Sequence, residues 1–134
     1  MPELMEEIYR RILEAAKVIS PHIHKTPIVD SKTFSRWTGG NVYLKLENFQ
    51  KTGSFKARGA LYKLSKLKRD GYSEVVAASA GNHAQGVAYA ARVMGMKATI
   101  FMPIYAPVSK ILATRGYGAE VVLKGYTVGD AVNY

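Results

Sequence analysis

Three short runs rich in apolar and β-branched residues, 74–79 (EVVAAS), 97–102 (KATIFM) and 119–123 (AEVVL), alternate with segments of helical length. Strands that are apolar on both faces have no side to give to water. They belong in a parallel sheet covered by helices and joined by right-handed crossovers. An earlier alternating run, 41–47 (NVYLKLE), reads as one more strand. Between the strands, residues 54–69 place Ala57, Ala60, Leu61, Leu64 and Leu67 on one helical face. Residues 82–96 form an alanine-rich helix ending at Gly95-Met96, and Pro107 opens a helix that reaches Arg115. At the start, Ile8, Ile12, Leu13, Ala16 and Ile19 recur at helical intervals until Pro21 stops them. Residues 22–34 (HIHKTPIVDSKTF) read as loop, because Thr26-Pro27 disfavours helix, and 37–40 (WTGG) reads as a turn. The expected fold is α/β: an open four-stranded, mostly parallel sheet with helices on both faces (three-layer α/β/α), plus an N-terminal helix.

Composition narrows the function. With 134 residues the chain has the size of one domain, and with no cysteine it can form neither disulfides nor thiolate metal sites. The N-terminus lacks the apolar core of a signal peptide and no apolar run reaches bilayer length, so a cytoplasmic protein without a membrane partner is expected. The net charge of +9 raises the question of nucleic acid. Its densest cluster, KLSKLKR at 63–69, lies on a helix whose leucines fall at core spacing, which makes it a solvated face. No nucleic-acid partner is expected. The charge suits a small anionic substrate or cofactor equally well.

Ligands of open parallel sheets bind at the carboxyl ends of the strands, where loops enter helix N-termini. Two loops of unusual content fall there, 49–59 (FQKTGSFKARG) and 79–86 (SAGNHAQG). Lys56 stands at the first turn of its helix beside the apolar stripe. The helix dipole and partial burial would both favour its neutral amine, the form that attacks a carbonyl. The alternative is a surface lysine whose stem packs along the helix. In the second loop, Asn82 and Gln85 have the spacing of a capping box and Gly81 that of a tight turn, while His83 suits a helix start. The same Ser-Ala-Gly turn also presents free backbone N–H groups to an anion. His22 and His24 lack a third ligand at suitable spacing, so no metal site is expected. Gly116 and Gly118 fit a helix end better than a phosphate loop.

Three blocks, 45–60 (KLENFQKTGSFKARGA), 78–91 (ASAGNHAQGVAYAA) and 102–123 (MPIYAPVSKILATRGYGAEVVL), resemble the threonine dehydratases, with 25–45 similar to that family's N-terminal segment. These are pyridoxal-phosphate enzymes of fold type II, the tryptophan-synthase-β-like group that also holds serine racemases. The resemblance implies pyridoxal 5'-phosphate as cofactor, bound as an internal aldimine by Lys56, with Phe55 beside its ring and Asn82 on its phenolic oxygen. It further implies that Ser79, Ala80, Gly81, Asn82 and His83 bind the substrate carboxylate. The implied reaction is β-elimination from L-threonine, or L-serine, to 2-oxobutanoate or pyruvate and ammonia. Serine racemases carry a second serine where this chain has Ala80, which points to dehydration. Serine racemase and β-replacement enzymes of the same fold rank behind it.

The family's glycine-rich phosphate-binding loop has no counterpart here. The resemblance therefore implies an N-terminal part of such an enzyme, inactive or very weak alone. Residues 1–40 correspond to an arm of the family's large domain and 41–134 to its small cofactor-facing domain. A homo-oligomer is expected. The competing expectation is a non-catalytic α/β module that binds anions or self-associates through exposed apolar surface.

Overall fold

The computed structural model describes residues 2–133; Met1 and Tyr134, the outer ends of the expected arm and domain, lie outside the described residues. The first helix, α1 (Pro2–Ile19), forms where the periodicity requires, yet its apolar stripe is largely uncovered. Leu4, Met5, Ile8, Tyr9, Ile12 and Leu13 are exposed, and only Ile19 at the last turn is buried. A 3₁₀ turn at Ser20–His22 contains Pro21 and ends the helix.

The segment expected to be loop is ordered. Strand β1 (Ile28–Asp30) is followed by α2 (Lys32–Thr38). Ser31 caps α2, its Oγ accepting from the Phe34 N–H, and Gly39 closes it in the left-handed conformation at φ 72°. Trp37 is thus helical, and the turn shrinks to Gly39-Gly40.

A second correction concerns the strand expected at 41–47. Only β2 (Tyr43–Lys45) forms, and it pairs antiparallel with β1, Ile28 opposite Lys45 and Asp30 opposite Tyr43. It stays outside the parallel sheet, which among the described residues has three strands and not four. The physical reason lies in its alternation: Tyr43 and Lys45 are exposed on either side of half-buried Leu44, a one-sided pattern that suits a ribbon.

The parallel sheet contains β3 (Glu74–Ala78), β4 (Lys97–Met102) and β5 (Glu120–Leu123) in that order. Ala77, Ile100 and Val121 lie in one cross-strand row. Helix α3 (Lys56–Arg69) precedes β3, and α4 (Asn82–Met94) and α5 (Val108–Gly116) make the two crossovers. A short α6 (Val128–Val132), capped reciprocally by Thr127 and Asp130, returns against β3 and β4. Leu61 of α3, Ala84, Ala88 and Ala91 of α4, and Ile100 and Met102 of β4 share one buried cluster. Each of the larger side chains there contributes about 1.5–3 kcal/mol through burial. The opposite side of the sheet is more open, with Val76 70% exposed.

Candidate active site

Lys56 reaches the carboxyl rim of the sheet by a route the sequence reading did not use. Because β2 lies outside the parallel sheet, the loop after it is not a strand-end loop of that sheet. Instead α3 runs into β3 through a tight turn at Asp70–Ser73, so α3 is antiparallel to the strand and its first residue stands at the strand's far end. The 79–81 turn leaves β3 at that same end. Glycine brings the two together. A Cβ on Gly86 of α4 would lie 3.1 Å from both the carbonyl carbon and oxygen of Lys56 and 3.2 Å from its Cβ. Gly86 is four residues from Asn82, a rise of about 6 Å along the helix. The lysine and the turn are therefore neighbours.

The segment leading to Lys56 is tied down on several sides. Arg58 grips Glu47 with two parallel bonds, Nε to Oε2 at 2.8 Å and a terminal nitrogen to Oε1 at 2.7 Å, and Thr26 Oγ1 donates to Oε1 at 2.6 Å. These bonds, the guanidinium's first, hold the Glu47 carboxyl down at about 2 despite its partial burial. Gln50 is buried; its Nε2 donates to the His24 carbonyl at 3.0 Å, and its Oε1 accepts from His24 N–H at 2.9 Å. The Tyr117 hydroxyl donates to the Lys51 carbonyl at 2.9 Å. Tyr89 donates to the His22 carbonyl and meets the Tyr117 ring edge-on at 5.6 Å; burial, then Tyr117, pushes its phenol up. Gly53 turns the chain at φ 70°, and Ser54 Oγ accepts from the Lys56 N–H at 3.4 Å.

The side chain of Lys56 departs from expectation. It is exposed, not partly buried. Its Nζ lies 5.2 Å from the centroid of the Phe55 ring, itself 60% exposed. The amine is nonetheless backed by an aromatic face. A cavity of about 540 Å³ lies elsewhere, between α1 and α3, and is lined by Ile12, Ile19, Ile23 and Tyr62 but not by Lys56 or the 79–83 turn.

Around the turn, Ser79, Ala80 and Gly81 are half-buried and Asn82 and His83 exposed. The expected capping box is absent. Gly81 is the N-cap of α4, no side chain caps the helix, and Gln85 is instead buried. The first-turn N–H groups are left for solvent or a ligand. The Gly81 N–H donates to Ser79 Oγ at 3.3 Å. A Cβ at Gly81 would meet nothing within 4 Å, and its φ of −140° is not left-handed. The space above the turn is open.

Among the residues the sequence reading missed, Lys110 of α5 donates from Nζ to Asn82 Oδ1 at 2.8 Å. Nothing in SKILATRG distinguished it from a surface lysine. Gly86 did carry a signal, since a glycine inside an alanine-rich helix costs about 1 kcal/mol and asks for a packing reason. The His24 Nδ1–H tautomer donates to the Phe49 carbonyl at 3.1 Å. No helix among the described residues is long and apolar enough to cross a membrane.

An exposed primary amine beside an aromatic ring, an amide side chain and an uncapped helix N-terminus are the donors that an aldehyde, a phenolate oxygen and a carboxylate would need. Residues 19–134 match the model of a family described as pyridoxal-phosphate dependent enzymes. L-threonine ammonia-lyase of Thermotoga maritima is 52% identical over 121 residues, which are 90% of this chain and 30% of that protein. Serine racemase from Dictyostelium discoideum superposes with a TM-score of 0.82 at 39% identity, over 92% of this chain and 41% of that one. A threonine deaminase from T.th. gives 0.79 at 44% identity, over 92% and 39%. The chain thus spans between 30% and 41% of the length of these relatives.

Proposed function

This chain belongs to the family of pyridoxal-phosphate dependent enzymes, and we propose that its rim is the lysine-bearing part of the active site of an L-threonine (L-serine) ammonia-lyase. The observation that supports the proposal is the close packing of Gly86 on Lys56, which brings the backbone and Cβ of that lysine against the start of the helix that the 79–81 turn opens. Bound there, the cofactor would supply a carbonyl for amines to condense with and a ring that takes up the electron pair left at Cα.

Each of the chain's own groups has a defined part. Lys56 Nζ would hold the cofactor covalently and, once displaced by the amino group of the substrate, accept the α-proton. Phe55 would flank the ring, and Asn82 would donate a side-chain N–H to its phenolic oxygen. The turn of Ser79, Ala80, Gly81, Asn82 and His83 would hold the substrate carboxylate, with the open volume above Gly81 admitting it. Ala80 decides between outcomes. A racemase needs a second proton donor on the opposite face, and a methyl group has none, so loss of the β-hydroxyl is favoured over reprotonation.

The same reading places an arm in residues 1–40 and the cofactor-facing domain in 41–134. Exposed α1 gives it an apolar face for self-association. Borohydride reduction after incubation with pyridoxal phosphate tests the assignment. Lys56 should be labelled, and L-threonine should lower that labelling while D-threonine does not. Labelling insensitive to either amino acid would overturn the substrate assignment.

A further inference from the structure

We infer that Lys110 is a positioning residue that orients the Asn82 amide for the cofactor. This rests on the proposed role of Asn82. The Lys110 ammonium carries only donors, and it lies 2.8 Å from Asn82 Oδ1. An amide nitrogen cannot accept that bond, so the contact fixes which end of the Asn82 side chain faces α5. The NH₂ group is left pointing away from Lys110 as the free donor. A phenolate oxygen accepts hydrogen bonds, and the NH₂ end is the one it requires. Without Lys110, the exposed amide would rotate between two orientations, one of which turns an acceptor toward the phenolate.

The lysine is itself well placed to act as a fixed arm. Its N–H donates to the Pro107 carbonyl at 2.9 Å, and its carbonyl accepts from Thr114 Oγ1 at 2.8 Å. Thr114 is fully buried, so the backbone of Lys110 is anchored to the core one turn below. Lys110 has no carboxylate partner among the described residues that would draw it away. Asn82 begins α4 and Lys110 lies near the start of α5, so the bond also links the two crossover helices at the rim.

The test compares the wild type with Lys110→Met, Lys110→Arg, Asn82→Ala and the Lys110→Met/Asn82→Ala double variant, using two readouts. In the cofactor-free protein, the Asn82 side-chain amide resonances should shift and broaden in Lys110→Met and return toward wild type in Lys110→Arg. In titrations with pyridoxal phosphate, Lys110→Met should bind about three- to tenfold more weakly and alter the cofactor absorption spectrum in the same sense as Asn82→Ala. The double variant should be no weaker than Asn82→Ala alone. Amide resonances unchanged in Lys110→Met would overturn the inference, as would a loss in the double variant that adds to that of Asn82→Ala. A wild type in which borohydride leaves no pyridoxyl group on Lys56 would overturn the functional proposal itself; unaltered binding in Lys110→Met, beside a wild type that binds, would overturn only the role of Lys110.

Discussion

Gly86 lies so close to Lys56 that a methyl group on it would stand 3.1 Å from the lysine's carbonyl carbon and oxygen. The contact is with backbone, which cannot swing aside. Gly86→Ala therefore has two opposed effects: about 1 kcal/mol gained in helix propensity, and about 1–3 kcal/mol lost to overpacking. Net destabilisation is expected in denaturant titration, together with reduced labelling of Lys56 by pyridoxal. Gly59 of α3 is the control, since a Cβ there meets nothing within 4 Å. Gly59→Ala should stabilise by about 0.5–1 kcal/mol. If both substitutions behave alike, the close packing at Lys56 is not what sets the effect.

The Glu47–Arg58 pair gives the fold an acid-sensitive tie. The carboxyl is held at about 2, below its ordinary value of 4.5, so the folded state binds its proton less tightly than the unfolded chain does. Its contribution is present in full above the unfolded value and is lost as pH falls from there through about 2. With the Arg58 side chain 31% exposed, solvent screening reduces the contribution, which is on the order of 1–3 kcal/mol. Glu47→Gln should lower stability at neutral pH by such an amount and flatten its acid dependence. Equal acid slopes in the two proteins would count against the pair.

Exposure of Ile8 and Ile12 on α1, 42% and 58%, makes that face the expected contact for self-association. The double variant Ile8→Lys/Ile12→Glu should shift sedimentation toward monomer at a given concentration while leaving helix content unchanged. Association that is insensitive to both changes would place the contact elsewhere.

The parallel core was legible because EVVAA, KATIFM and EVVL are short apolar runs alternating with segments of helical length, and each was found close to its expected bounds. The alternation of 41–47 suits an exposed ribbon as well as a sheet strand, since half of the segment is polar; its pairing with Ile28–Asp30 depends on a partner too short to stand out. Ser31 and Gly39, the caps of α2, were visible, but the helix between them is only seven residues long. At the site, the residue types of the 79–83 turn were readable, whereas the exposure of Lys56 depends on what covers it. The Lys110–Asn82 bond joins side chains 28 positions apart, a distance over which local patterning is silent.

The central claim, that Lys56 is the amine that takes the pyridoxal carbonyl, is tested most directly by reductive trapping and peptide mapping. Wild type, Lys56→Ala and Lys110→Met would be treated alike with pyridoxal phosphate and borohydride. One pyridoxyl group on Lys56 is expected in the wild type and in Lys110→Met, and none in its place in Lys56→Ala. Label spread evenly over the lysines, or undiminished in Lys56→Ala, would contradict it.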